Sequence, residues 1–105
     1  MVRGDVHHIT LPPRRGHAQH GRRYAIVVQA DDLLALSTIV VCPTSQSTPP
    51  ASFHPEVTVD GDSTRVMCEM VGVVDVQSLG EHAGHLTLDA LLSVEEALRL
   101  VLDLR

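Results

Sequence analysis

Two neighbouring arginines, Arg22 and Arg23, stand immediately before an apolar run at residues 25–28. The run is short and rich in β-branched residues, and polar or turn-forming residues bound it on both sides, which is typical of a buried strand. An arginine fixed at the end of a strand presents a planar, permanently charged set of donors that matches a phosphate or a carboxylate. The pair therefore has two interpretations, an anion-binding site or two solvated surface side chains.

The positive charge of the chain is concentrated near its beginning. The net charge is -5 with neutral histidines, which is opposite in sign to the surface of a general nucleic-acid binder. Five of the eight arginines lie within the first 23 residues, namely Arg3, Arg14, Arg15, Arg22 and Arg23, and the chain has no lysine. Any contact with a nucleic acid is therefore expected to use this local patch. Because only Tyr24 and Phe53 are aromatic, the chain has too few rings for a site that stacks several bases on aromatic side chains.

Length and composition predict one globular domain over residues 1–105. Hydrophobic residues at 44% and charged residues at 20% are close to the globular average, so neither a disordered nor a fibrous class is indicated. Cys42 and Cys68 lie inside apolar, strand-like runs and are expected to be buried thiols rather than a disulfide. The sequence contains neither an apolar stretch typical of a signal peptide nor a run long enough to span a bilayer, so a cytoplasmic location is expected.

The patterning predicts several short strands followed by one helix. Strands are expected at residues 4–11, 25–29, 37–42, 53–59, 65–68, 71–76 and 82–86. Pro43 is expected to end the third strand, Asp60-Gly61-Asp62 to form a hairpin turn, and Leu79-Gly80 to turn the chain. Apolar residues spaced three and four apart predict a helix from Leu88 to Leu104, with Thr87 as its N-cap. This order indicates a small, mostly antiparallel barrel or partly open sheet with a terminal helix.

Three pairs of histidines suggest zinc at first sight: His7-His8, His17 with His20, and His82 with His85. Adjacent residues on a strand point to opposite faces, so the first pair cannot easily bind one ion. The other pairs lack a thiolate or carboxylate at the usual spacing. No metal site is therefore expected.

Four stretches, in order along nearly the whole chain, resemble the MazF/PemK (Kid) toxins of bacterial toxin–antitoxin modules. Residues 3–6, Arg-Gly-Asp-Val, resemble the family's opening strand, and residues 21–31 resemble its G-x-R-P-hydrophobic-V-V-Q-N-D strand. Residues 38–45 resemble the strand that ends at the family's active-site threonine, and residues 86–104 resemble its C-terminal helix. The resemblance implies a mainly β fold with a C-terminal α-helix, an SH3-like small barrel that forms homodimers.

The same resemblance implies a type II toxin that cleaves single-stranded RNA without a metal or other cofactor, by attack of a ribose 2′-hydroxyl on the adjacent phosphate. By position, Arg23 matches the family's catalytic arginine and Thr44 its catalytic threonine, with Ser45 as the alternative if the loop is shifted by one residue. RNA contacts are expected from Arg14, Arg15, Gln19, Arg22 and Ser45. A cognate antitoxin is expected to fold a disordered tail into a groove between residues 12–21 and 44–52.

The implied chemistry still needs a proton carrier. An arginine beside a hydroxyl can stabilise the charge on a transferring phosphoryl group. Arginine loses its proton only above pH 12 or so, which makes it a poor acid or base. His17 and His20 lie in the loop before Arg23, and our hypothesis is that one of them acts as the acid or base, the alternative being solvated loop histidines.

The sequence departs from the family pattern at five positions: Ala18 for a glutamate, Tyr24 for a proline, Ala30 for an asparagine, Met70 for a glutamine and Gly72 for an arginine. Several of these changes remove polar or cationic groups from the expected RNA surface. Together with the acidic net charge, they leave open a non-catalytic toxin that acts by protein binding, as the related CcdB topoisomerase inhibitors do. A small barrel with an unrelated ligand is a third interpretation.

Overall fold

A computed structural model describes residues 1–11 and 21–105, and in it these residues form a curled, half-barrel β-sheet with one C-terminal helix. The predicted fold class is therefore confirmed. The elements are β1 (Asp5–Leu11), β2 (Gly21–Val27), β3 (Thr38–Ser45), β4 (Glu56–Val59), β5 (Asp62–Val66), β6 (Gly72–Asp75), β7 (Leu79–His85) and α1 (Leu88–Leu102).

The strands pair in the order β4-β5-β3-β2-β1-β7, and β6 also pairs with β3. Along one side, β3 pairs with β2. Along its other side it pairs first with β6, through residues 38–41, and then with β5, through Thr44 and Ser45. Strand β3 is therefore the element to which three other strands attach, and its last residues lie beside both β2 and β5.

Pro43 does not end the third strand, and that prediction was wrong. Strand β3 continues through Pro43 to Ser45, and Pro43 pairs with Ala25 of β2. Its carbonyl oxygen accepts a hydrogen bond of 2.8 Å from the Met67 N–H. Pro43 lies between the residues that pair with β6 and those that pair with β5, so its missing N–H falls in the gap between two partners, where a proline is tolerated.

Alternation along the strands gives the sheet two apolar faces. The larger cluster contains Val6, Ile26, Cys42 and Val66 and packs against Val94 and Ala97 of α1. The second cluster comprises Ile9, Ala25, Val27, Ile39 and Val41. Cys42 and Cys68 are both buried thiols, as expected. Burial on both faces explains why the sequence shows apolar runs rather than strict alternation.

The Asp60-Gly61 turn and the Thr87 cap are confirmed. Asp60 and Gly61 both have positive φ, 51° and 82°, as a two-residue hairpin loop between β4 and β5 requires. The Thr87 side chain accepts a bond of 3.2 Å from the Ala90 N–H. The helix ends at Leu102 rather than Leu104, because Asp103 adopts a left-handed conformation that terminates it.

Leu79-Gly80 opens strand β7 instead of turning the chain, so this prediction was also wrong. Leu79 pairs with Ile9 of β1. A Cβ atom on Gly80 would lie 3.0 Å from the His8 carbonyl oxygen. The glycine therefore permits the close approach of two strands where their register shifts, rather than a turn. Strand β4 begins at Glu56 rather than residue 53, and β5 ends at Val66.

Candidate active site

An open groove of about 480 Å³ lies at one end of the sheet. At this end of the sheet the start of β2 lies beside the end of β3, and Thr44 and Ser45 of β3 pair with Val66 and Arg65 at the end of β5. The groove is lined by His8, Arg23, Tyr24, Thr44, Ser45, Gln46, Ser47, Asp62 and Thr64. The fold thus brings together Arg23, Thr44 and Ser45, three of the residues predicted for the site.

Arg23 is half-buried and is held against the end of β3. Its Nη1 donates a hydrogen bond of 3.3 Å to the Thr44 carbonyl oxygen. Its Nε is buried and has no hydrogen-bond partner in the part of the chain that the structure describes. A guanidinium offers several N–H donors in one plane, so Arg23 is suited by its chemistry to an anion in the groove.

Thr44 is 2% exposed, and its hydroxyl donates a hydrogen bond of 3.2 Å to the Tyr24 carbonyl oxygen. Together with the bond from Arg23, this gives a reciprocal pair of side-chain-to-backbone bonds between β2 and β3. A hydroxyl hydrogen can turn about the Cβ–Oγ bond, so Thr44 can redirect its donor at the expense of one neutral hydrogen bond. The groove therefore contains the Arg23 guanidinium, held against β3, beside a Thr44 hydroxyl that can change the direction of its hydrogen bond.

Ser45 has a different environment, although its residue type is equally suited to the chemistry. Its Oγ accepts a hydrogen bond of 3.2 Å from the Ser47 N–H and lies 3.2 Å from the Ser47 hydroxyl. This pattern is a local turn that shapes the loop after β3. The contacts favour Thr44 over Ser45 as the hydroxyl directed at a ligand.

Arg3 belongs to the N-terminal group of arginines but does not join the groove. Its Nε donates to the Val28 carbonyl oxygen at 3.1 Å, and its Nη1 forms an ion pair with Glu95 of α1. Its guanidinium therefore connects the sheet to the helix. The predictions for Arg14, Arg15, His17, Gln19 and His20, and for the Arg22 side chain, lie outside the described residues.

Sequence reasoning assigned no groove role to His8 and Tyr24. They are register partners on β1 and β2, and their rings lie 5.1 Å apart at 35°. Strand alternation was the available signal, because it separates His8 from His7, whose Nδ1 lies 3.0 Å from the Gly80 carbonyl oxygen. In the sequence, Tyr24 was distinguished as one of two aromatic residues and as a departure from the family's proline, neither of which indicates a place in the groove.

The loop that borders the groove is anchored by a buried histidine. His54 is 5% exposed, and its Nδ1 lies 2.8 Å from the Pro49 carbonyl oxygen while its Nε2 lies 2.7 Å from Glu69 Oε2. Burial alone would lower the pKa of His54, but the bonds to Glu69 and Pro49 outweigh it and raise that pKa. The imidazolium form can donate to both partners at once, which explains the direction.

Stability is expected to fall as the pH rises past the ordinary histidine value of about 6.5. The folded-state pKa of His54 is raised, so its favourable contribution is complete below the unfolded value and is lost as the pH rises through the folded value. Denaturant unfolding of the wild type and of Glu69→Gln at several pH values around neutrality measures how the free energy of unfolding depends on pH. Glu69→Gln should show the flatter dependence. Equal slopes in the two proteins would contradict the assignment, since every other titrating group is common to both.

His82 and His85, considered for zinc, instead face one carboxylate. His85 Nδ1 lies 2.9 Å and His82 Nε2 lies 3.4 Å from Asp5 Oδ1. Burial raises the pKa of Asp5, but the Val2 N–H and the two imidazoles outweigh this and lower it. Among residues 1–11 and 21–105, no group of three or more candidate side chains could hold a metal ion. No helix within those same residues is long and apolar enough to cross a membrane.

Comparison with protein families identifies the class. Residues 2–102 match the model of the PemK-like, MazF-like toxin of type II toxin–antitoxin systems. A Mycobacterium tuberculosis (strain ATCC 25618 / H37Rv) protein named "Putative toxin Rv3098A" is 34% identical over 106 residues, covering 99% of each chain. The chain belongs to the PemK/MazF toxin family, as its sequence motifs indicated.

Solved structures of the same fold extend over the whole chain. An endoribonuclease in complex with its cognate antitoxin, from a mycobacterial species, has a TM-score of 0.83 at 14% identity and covers 100% of this chain and 97% of its own. MazF from Deinococcus radiodurans has a TM-score of 0.82 at 22% identity, with coverage of 99% and 97%. At these identities the likeness establishes the fold, a MazF-type sheet with its terminal helix.

Proposed function

We propose that this toxin is an endoribonuclease that cleaves single-stranded RNA. The observation that carries the proposal is that Arg23, bonded to the Thr44 carbonyl oxygen, and Thr44, whose hydroxyl donates to the Tyr24 carbonyl oxygen, line one open groove, which combines a charged donor set with a hydroxyl donor. Two structural relatives are described as endoribonucleases, one of them bound to its antitoxin. By their positions in the family motifs, we assign Arg23 as the catalytic arginine and Thr44 as the catalytic threonine.

In the proposed reaction, the ribose 2′-oxygen attacks the adjacent phosphorus as the bond to the 5′-oxygen breaks. The products are a cyclic phosphate and a free 5′-hydroxyl. Such transfers depend mainly on stabilising the charge that spreads over the phosphoryl oxygens. Arg23 would bind these oxygens through its guanidinium, and the Thr44 hydroxyl would turn from the Tyr24 carbonyl to donate to them. No step requires a metal or other cofactor.

RNA binding is proposed to involve the groove together with the arginine-rich residues 12–22. The proposed contacts are Arg14, Arg15, Gln19, Arg22 and Ser45. Since the chain as a whole is acidic, with a net charge of -5, this patch must supply most of the attraction for phosphate. Affinity for RNA should then fall steeply with salt, because each phosphate contact releases counterions.

Regulation is proposed to follow the toxin–antitoxin arrangement of the family, in the cytoplasm and with the toxin as a homodimer. A cognate antitoxin would order a flexible tail along residues 44–52 and residues 12–21. Gln46 and Ser47, in the first of these two segments, line the groove. A peptide in this position would cover Arg23 and Thr44. Inhibition would thus result from occlusion of the groove.

The test is cleavage of a long single-stranded RNA by the purified toxin in the presence of a chelator, with mapping of the new 5′ ends. Discrete cuts that carry 5′-hydroxyl groups support the proposal and reveal the recognition sequence. Intact RNA with a folded toxin that still inhibits growth would contradict it. That result would favour the alternative of a protein-binding toxin. The acidic net charge and the replacements at Met70 and Gly72 would then explain why the protein does not cleave RNA.

A further inference from the structure

The groove contains a group that no family motif assigns and that could move a proton. RNA cleavage by this route transfers one proton from the 2′-hydroxyl to the 5′-oxygen. Arg23 is a poor carrier because a guanidinium keeps its proton at physiological pH. The Thr44 hydroxyl is already bonded to the Tyr24 carbonyl oxygen, and an alcohol ionises only far above neutral pH. Neither of the two predicted catalytic residues is suited to acid–base work.

His8 lies in the same groove as Arg23 and Thr44. Strand pairing fixes its position, because His8 is the register partner of Tyr24, whose carbonyl oxygen accepts the bond from Thr44. The Tyr24 ring lies against one side of the imidazole, with 5.1 Å between ring centroids. The other ionisable or charged groups that line the described part of the groove are Arg23 and Asp62.

Among these lining groups, only histidine is of a type that ordinarily changes protonation near neutral pH. Histidine is the side chain most often used as a general acid or base in catalysis. General acid–base catalysis is most effective when the pKa lies close to the working pH. Chemistry and position therefore both select His8 within the described residues.

We propose that His8 is the general base of the cleavage reaction, an inference that rests on the proposed ribonuclease activity. Neutral His8 accepts the 2′-hydroxyl proton as the 2′-oxygen–phosphorus bond forms. The imidazolium then returns that proton to the 5′-oxygen as the phosphorus–oxygen bond to it breaks. The cyclic phosphate and the 5′-hydroxyl follow without another reagent, and Arg23 stays charged throughout. Here His8 takes the role that the sequence suggested for His17 or His20.

The experiment is the pH–rate profile of RNA cleavage for the wild type, His8→Gln and the matched control His7→Gln. His7 is the neighbour on the same strand and does not line the groove, since its ring packs edge-on against His82 at 5.4 Å. We expect the wild-type rate to rise with pH to a plateau. His8→Gln should lower kcat by about 10²- to 10⁴-fold and leave KM nearly unchanged. It should also abolish the acidic limb of the profile, which is the part where the rate rises with pH. His7→Gln should keep the rate and the limb.

Two further measurements separate catalysis from structure. His8→Ala should regain part of its rate when free imidazole is added, which a merely misfolded variant would not do. Circular dichroism at each pH shows whether the variants remain folded. A His8→Gln protein that keeps both the rate and the acidic limb would overturn the inference. Loss of the limb in His17→Gln or His20→Gln, with His8→Gln unaffected, would overturn it in favour of the loop histidines.

The outcomes also distinguish this inference from the function on which it rests. A wild-type protein that leaves RNA intact contradicts the ribonuclease proposal itself, and the inference fails with it. A wild-type protein that cleaves RNA, beside a His8→Gln variant with an unchanged profile, contradicts only the role of His8.

Discussion

Replacing Arg23 with alanine is expected to lower the rate of RNA cleavage by about 10²- to 10³-fold, the usual loss when one preorganised donor to a developing charge is removed. The guanidinium is fixed by its bond to the Thr44 carbonyl oxygen, so it incurs little reorganisation in the reaction. Arg23→Lys should also lose most of the rate, because an ammonium group cannot reproduce the planar set of donors. Initial rates on a short fluorogenic RNA measure both effects.

Arg99→Ala is the matched control for the loss of one positive charge. Arg99 lies on α1, where it is exposed and 3.9 Å from Glu95. Its removal changes the net charge by the same amount as Arg23→Ala, but Arg99 does not line the groove, so cleavage should change little. Equal losses in the two variants would show that total charge, rather than the position of Arg23, determines the rate.

Replacing Thr44 with valine is expected to lower cleavage by a comparable factor, about 10²-fold or more, because valine keeps the shape and removes the donor. Thr44→Ser keeps the hydroxyl and should retain most of the activity. Valine also removes the bond to the Tyr24 carbonyl oxygen, a change of about 1 kcal/mol in the free energy of unfolding. Denaturant unfolding beside the rate assay separates this modest effect from the catalytic one.

Ser45→Ala tests the alternative assignment of the hydroxyl. The Ser45 side chain bonds Ser47 within its own loop, so its loss should alter the loop more than the chemistry and cost a small factor in rate. If Ser45→Ala abolishes cleavage and Thr44→Val does not, the register of the active hydroxyl is shifted by one residue. In that case the bond from Thr44 to Tyr24 is structural.

The helix and the hairpin turn could be predicted from sequence because their causes are local. The apolar spacing after Thr87 requires nothing beyond the helix itself, and Asp60-Gly61 has the backbone freedom that the turn demands. Pro43 and Gly80 were misinterpreted because both act through a strand that is distant in sequence. Pro43 lies where β3 changes partner, and Gly80 lies where β7 approaches the backbone of β1.

The candidate site likewise contains residues that could be assigned from sequence and one that could not. Arg23 and Thr44 were assigned by family motif, and the fold places both in one groove. His8 was missed because its presence there depends on its register with Tyr24 and on the curl of the sheet, neither of which a single strand reveals. Residues that come together only through the pairing of strands are the hardest to assign from sequence alone.

The reciprocal bonds of Arg23 and Thr44 end on backbone carbonyl oxygens rather than on other side chains. Any residue type at position 24 supplies the same acceptor, so Tyr24 can replace the proline of the family motif without removing this acceptor. The loops that border the groove can likewise change sequence while these two anchors stay in place. For the proposed ribonuclease, this arrangement would let substitutions around the groove change the RNA target while Arg23 and Thr44 keep their positions.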